Sequence, residues 1–301
     1  MGFITRWRGQ NRLQRMAWLS VATAIATLFI KWTAWWLTDS VTLLSDALEA
    51  FVNLAAALFA LFVLTLAAQP ADADHHFGHD KAEYFSSAGE GLLILVAALA
   101  ILGSALPRLF EPAALPELGI GLLFSLFAAV LNGATAMQLF KVAREEDSLT
   151  LRADAEHLLS DVWTSVAMLA GLGVIWLVPD QAWLDPVIAL VMAAYLIKVG
   201  LGLVMPSIHG LMDSALPEHE LQAMWDALEG LAPDDVELTG VRTRKSGRRR
   251  FVDANLMVPG EYTVVQAHAL CDQLEQAIHR VLSNCDIHLH VAPLEARDAH
   301  R

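Results

Sequence analysis

The sequence predicts an α-helical membrane protein, six transmembrane helices followed by a small cytosolic α/β domain. Three observations carry this expectation. The 301 residues are 55% hydrophobic and only 18% charged, with a mean hydropathy of +0.46, too apolar for a soluble globule of this length. Apolar runs long enough to cross ~30 Å of hydrocarbon, about 20 residues each, recur roughly six times. Past Ser207 the character changes: the remainder holds seven of the eleven histidines, many acids and alternating apolar patterns, as a folded water-soluble unit does.

In chain order the spans fall at roughly 16 to 37, 41 to 68, 83 to 107, 115 to 141, 153 to 178 and 183 to 205. The membrane domain is assigned to about 1–206 and the soluble domain to about 207–301. Within the latter the pattern reads helix (about 217 to 231), strand (236 to 245), a "KSGRR" turn, strand (249 to 258), helix (262 to 283) and strand (286 to 292). Lysine and arginine placement sets the orientation, because cytoplasmic loops are enriched in positive charge. "RWRGQNRLQR" at the start, Lys81 after the second span, and Lys141, Arg144 and Arg152 between the fourth and fifth are basic, whereas "LTDS" and "VPDQAW" carry no lysine or arginine. Both termini are therefore expected in the cytoplasm, in a cell (inner) membrane protein. The basic start leads into a full-length span rather than a short cleavable segment. The two cysteines, Cys271 and Cys285, are expected to be reduced thiols on that side of the membrane. A formal charge of −13 argues against a nucleic-acid partner, and the basic "RTRKSGRRR" reads as an exposed hairpin.

Acids inside an apolar span are costly and need partners. The second span carries Asp46, Glu49 and Asn53 in "SDALEAFVN", and the fifth carries Asp154, His157 and Asp161 in "LRADAEHLLSD". Each set has the same spacing, an Asp followed at +3 and +7 by ligand-type residues. Residues four apart share one helical face. Two antiparallel helices facing each other through such pairs bring four oxygen or nitrogen donors to one point, an arrangement suited to a divalent cation. With Glu49 and Asp161 ionised and Asn53 and His157 neutral the set carries a charge of about −2, matching one such ion. Three oxygens and one imidazole suit Mn2+, Fe2+, Co2+ or Zn2+ rather than soft Cu+. Asp46 and Asp154, one turn away, are candidate proton-relay carboxylates; Asp154 also fits an ordinary exposed acid at a helix start. Between spans two and three, "ADADHHFGHDKAE" concentrates histidine and aspartate as a metal-binding tract does.

These features together resemble the cation diffusion facilitator family of divalent-metal/proton antiporters. The resemblance spans essentially the whole chain, and "FGHDKAEYF" and "HLLSD" are its most specific parts. Asp80 stands where glycine is common, and Glu49 and Asn53 replace the usual His or Asp followed by Asp. The resemblance implies metal ligation by Glu49, Asn53, His157 and Asp161, and a second site in the loop at Asp72, His75 and His79. It implies a ferredoxin-like C-terminal domain that pairs subunits into a homodimer, with Lys81 and Asp213 in interlocking salt bridges at the dimer interface. It also implies a regulatory metal site in that domain, of which only His268 and His290 match; Thr239, Asn255 and Ala292 stand where ligands are usual. Asp286, His288 and His290 alternate on one strand face, leaving a reorganised site open.

Imidazole and carboxylate bind metal only when deprotonated, so ion and protons compete for the same lone pairs. The expected function is export of Zn2+, Fe2+ or a similar ion (Mn2+, Co2+ or Cd2+) from the cytosol in exchange for protons. No GxxxxGK[ST] nucleotide motif is present. A metal-responsive membrane scaffold or sensor that binds without transporting competes with this expectation. Hydrolysis is disfavoured, since no nucleophile motif marks a substrate pocket, and the chain is read as no enzyme.

Overall fold

The computed structural model describes residues 11–38, 41–110, 119–177 and 184–295, with the side chains of 38, 41–46, 108, 119–122, 168–177 and 184–185 outside that description. Two compact units make up the chain, the first ending at Ile208 and the second beginning at His209.

The first unit is helical: α1 (Arg12–Thr38), α2 (Val41–Ala67), α3 (Ala82–Arg108), α4 (Gly119–Glu146), α5 (Leu149–Leu177) and α6 (Leu184–Leu211). Each predicted span is present, several longer than its apolar run because flanking polar turns continue the helix. Among the described residues, α1, α2, α3, α4 and α6 are each long and apolar enough to cross a membrane. The first half of α5 is polar, carrying Arg152, Asp154, Glu156, His157 and Asp161. A helix can carry such groups through lipid only where protein or water surrounds them, and α5 is accordingly packed against α4, α3 and α2. Helix α1 packs on α2 and α4, and its Arg12 pairs with Glu145 and Glu146 of α4. Leu13, Ala17, Leu64, Leu139, Leu151 and Leu158 form a core where α1, α2, α4 and α5 meet. Lipid-type exposure is evident outside it, at Phe29, Trp36, Phe62, Val96 and Phe127. Helices α3 and α6 approach closely through glycine: a Cβ on Gly91 would stand 2.9 Å from Gly200 O and 2.8 Å from Val204 Cγ2.

Two short connections position the polar faces. Between α4 and α5 the chain turns at Asp147, with φ +54°, and Ser148 Oγ accepts from Leu151 N–H at 3.4 Å. Glu83, fully buried at the start of α3, receives Ser148 Oγ–H at 2.6 Å and Thr150 N–H at 3.2 Å. Its carboxylate thus satisfies donors that a helix start leaves orphaned, and holds the N-terminus of α5 to α3.

The second unit runs α7 (Glu218–Leu228), β1 (Glu237–Ser246), β2 (Arg249–Val258), α8 (Val264–Val281) and β3 (Cys285–Pro293). This αββαβ order is the predicted one. Strand β1 pairs antiparallel with β2 across a two-residue turn, with Gly247 at φ +57°, while β2 and β3 pair in parallel, which requires the crossover that α8 supplies. Thr263 and Gln266 close a capping box at the α8 N-terminus. Met224, Leu228, Val252, Leu256, Leu270, Leu274 and Ile278 form a core of their own. The basic hairpin is not simply solvated. Arg250 is buried, its Nε and Nη2 each donating to a Glu220 carboxylate oxygen at 2.7 Å, and Arg244 lies over the Phe251 ring at 4.1 Å. A guanidinium can be buried here because its fork is matched by a carboxylate. Cys271 and Cys285 are buried free thiols, and burial pushes the Cys285 thiol up to about 11.

Candidate metal centre

Helices α2 and α5 bring their polar faces together. Asn53 Nδ2 donates to Asp161 Oδ2 at 2.7 Å, and Asn53 Oδ1 lies 2.9 Å from His157 Nε2. A carbonyl oxygen only accepts, so in this arrangement Nε2 carries a proton. Asn132, from α4, donates to the same Asp161 oxygen at 3.3 Å. Asn53, His157 and Asp161 thus satisfy one another, and a cation entering must displace the hydrogen bonds that join them. Glu49 stands on the wall of the same cavity of about 500 Å³, with Lys31, Asn53, Ser125, His157 and Asp161, and with Leu93, Val96 and Ala97 as the apolar side. Asn53 and His157 are each 8% exposed and Asp161 is partly buried, whereas Glu49 is exposed.

Asp154 is 2% exposed, which overturns its reading as an exposed helix-start acid. Its Oδ1 accepts from Ser20 Oγ at 2.9 Å, and its Oδ2 is buried with no hydrogen-bond partner among the described residues. The backbone of Asp46 lies in α2, but its side chain falls outside the described residues. Three contributors escaped the sequence reading: Lys31, Glu90 and Asn132. Lys31 is the lone ionic group in its apolar run, and Glu90 interrupts "AGEGLLILV". An ionic group inside a span is the signal that would have found both. Asn132 carries no charge and gave no comparable signal.

The loop before α3 forms a second polar cluster. Asp72 Oδ1 is 3.2 Å from His75 Nδ1, Asp72 Oδ2 is 3.4 Å from His79 Nε2, and the two rings lie 4.5 Å apart. Among the described residues this is the one group of three or more histidines, cysteines or acids whose ligand atoms lie within 4.8 Å of one another. Asp72 also accepts the backbone N–H of His75 at 2.7 Å and of Asp74 at 3.0 Å. These bonds, His75 first, outweigh slight desolvation and hold its carboxyl below the usual range. Gly78, at φ +81°, lets the loop turn back. His76 and Asp80 are not members of the group.

In the second unit no comparable cluster forms among the described residues. Strongly exposed His268 stands 3.9 Å from Asp272. His290 on β3 is in register with Asn255 on β2, which pairs in turn with Thr239 on β1. Asp286, His288 and His290 are all exposed on alternate positions of β3, and His288 lies 4.0 Å from Asp253. Asp213 meets Arg244 at 3.3 Å within the same unit.

Residues 17–212 match the cation efflux transmembrane domain, and residues 216–294 match the cytoplasmic domain of cation efflux proteins. The chain belongs to this family, the cation diffusion facilitators, and is a multi-pass membrane protein of a family of transporters. It is 42% identical over 277 residues to an uncharacterized transporter of Synechocystis, covering 92% of this chain and 89% of the relative. It is 34% identical over 287 residues to the cation-efflux pump FieF of Klebsiella pneumoniae, covering 93% of both. Among solved structures, the metal-bound C-terminal domain of the CzcD transporter from Thermotoga maritima is 25% identical, covering 26% of this chain and 95% of that one, with a TM-score of 0.23.

Proposed function

We propose that this protein is a homodimeric antiporter that exports a divalent transition-metal cation, Zn2+, Fe2+ or a similar ion such as Mn2+, Co2+ or Cd2+, from the cytosol in exchange for protons. The observation that carries the proposal is the cluster of Asn53, His157 and Asp161 with Glu49 on one cavity of the helical unit. Glu49, Asn53, His157 and Asp161 are the ligands of the transported ion. Two carboxylates and two neutral donors balance its charge, and loss of water from the ion is compensated by four directed lone pairs. Each donor that takes a metal must first be free of protons, so acid on the outer side releases the ion and resets the site. Asp154, buried beside Ser20, and Asp46 relay those protons. Asp72, His75 and His79 hold a second ion in the loop, a role their mutual distances support. His268 and His290 offer only a residual site in the C-terminal domain. That domain pairs the subunits, with Lys81 and Asp213 near the two-fold axis, and both termini lie in the cytoplasm of a cell inner membrane.

Purified protein in proteoliposomes with an imposed pH gradient tests this with a panel of Zn2+, Fe2+, Mn2+, Co2+ and Cd2+. Flux is expected to depend on the gradient, and His157→Ala or Asp161→Ala to abolish it while the protein remains folded, since each removes one donor of only about four. Near-normal flux in either variant would remove the assignment. Tight binding without flux would leave a scaffold or sensor.

A further inference from the structure

Glu90, on α3, is an acid with no place in the ligand set. It is 2% exposed, and its Oε2 lies 3.5 Å from His157 Nδ1. Neither atom has a hydrogen-bond partner among the described residues, although both are buried. The other ring nitrogen, Nε2, faces Asn53 Oδ1 on the ligand side. The ring is therefore sandwiched, an amide oxygen at one nitrogen and a carboxylate oxygen at the other. With Asn53 Oδ1 2.9 Å away, Nε2 carries a proton in this arrangement. To accept a cation the neutral ring must bare Nε2 and keep its one proton on Nδ1, where an acceptor is needed; Oε2 of Glu90 is placed to be it.

We infer that Glu90 is the positioning residue for His157, accepting a hydrogen bond from Nδ1–H and so holding the tautomer that offers Nε2 to the ion. The inference rests on the transport-site assignment above. A histidine ligand is oriented and made more basic when a carboxylate receives its other N–H, and loss of such a partner weakens metal binding by about 10- to 100-fold. The fold supplies the placement: Gly91, adjacent in sequence, lets α3 lie against α6, and Glu83 fastens α3 to the start of α5 two turns from the same face.

Co2+ binding to the full-length chain tests this in a background with Asp72→Ala, His75→Ala and His79→Ala, so that the loop does not contribute. Glu90→Gln keeps the shape but presents an amide that can accept from Nδ1–H or donate to bare Nδ1, so it no longer selects one tautomer. Co2+ affinity is expected to fall roughly tenfold, with a changed ligand-field spectrum. Wild-type affinity and spectrum in Glu90→Gln, alongside lost binding in His157→Ala, would overturn the role of Glu90 alone. Full Co2+ binding by His157→Ala would instead overturn the transport-site assignment. Nitrogen-15 NMR of histidine in the Cd2+-loaded protein without any change at Glu90 provides a second reading. Cadmium on Nε2 with a proton on Nδ1 supports the inference, and cadmium on Nδ1 overturns it, whether or not the variant folds.

Discussion

Asn53 shows how much one side chain decides. Its amide has two ends, and the structure uses both: Nδ2 donates to Asp161 at 2.7 Å and Oδ1 faces His157 at 2.9 Å. A carboxylate there could not donate, so Asn53→Asp would, without metal, set two acids against each other. Under the proposed assignment the variant takes the site from about −2 to about −3 and attracts a divalent cation more strongly. The expected result is metal binding tighter by roughly tenfold, worth about 1.4 kcal/mol, with a lower KM and no gain in maximal flux, because the ion must still leave. The metal-free variant should melt earlier and gain more from added metal than the wild type does. Equilibrium titration and thermal melts with and without Zn2+ check both, and unchanged affinity would take Asn53 out of the ligand set.

At the scale of elements, α3 is the connector. Its first turn presents Glu83 to the start of α5, its third turn presents Glu90 and the glycine contact with α6, and Ile94 and Ala98 join a core with Leu196 and Leu203 of α6. Small residues permit such close helix approach within a membrane. A methyl on Gly91 would meet Gly200 O at 2.9 Å, and backbone cannot rotate away as a side chain does. Gly91→Ala should therefore lower stability by about 1–3 kcal/mol, the range for overpacking, seen as a reduced melting temperature in detergent. Wild-type melting would show that α3 and α6 separate freely.

For the molecule as a whole, the two units rest on different physics. The helical unit keeps its backbone bonds within its helices and places acids where protein or cavity meets them. The C-terminal unit has a conventional apolar core, and the Glu220–Arg250 pair fastens α7 to β2. Burial raises the Glu220 carboxyl, but the hydrogen bonds from Arg250 and the charges of Lys245 and Arg250 outweigh it, leaving the group below its ordinary value. The sign follows: the pair's stabilisation is fully present above the ordinary glutamate range and is lost as pH falls through the lowered value. Glu220→Gln should cost about 2 kcal/mol, as for hydrogen bonds to charged groups, and flatten this acid dependence. Hydrogen exchange of β2 in the full-length protein, followed against pH, checks it; wild-type protection at every pH would show the pair to be dispensable.

Much of this architecture is written locally. Helix positions follow from apolar run length, and the αββαβ order follows from a switch between the periods of helix and strand, because both signals come from neighbouring residues. The pairing of Asn53 with His157 and Asp161 was also legible, through matched four-residue spacing on two polar-faced helices. What spacing cannot convey is what enters from the sides. Asn132 from α4, Lys31 from α1 and Glu90 from α3 reach the cavity or its ligands only because the helices pack in one particular arrangement. Asp154 and Arg250 look in sequence like ordinary surface charges, and tertiary packing buries both. Local pattern determines which face of an element is polar; only the packed fold determines which other polar faces it meets, because those contacts join residues far apart in the chain.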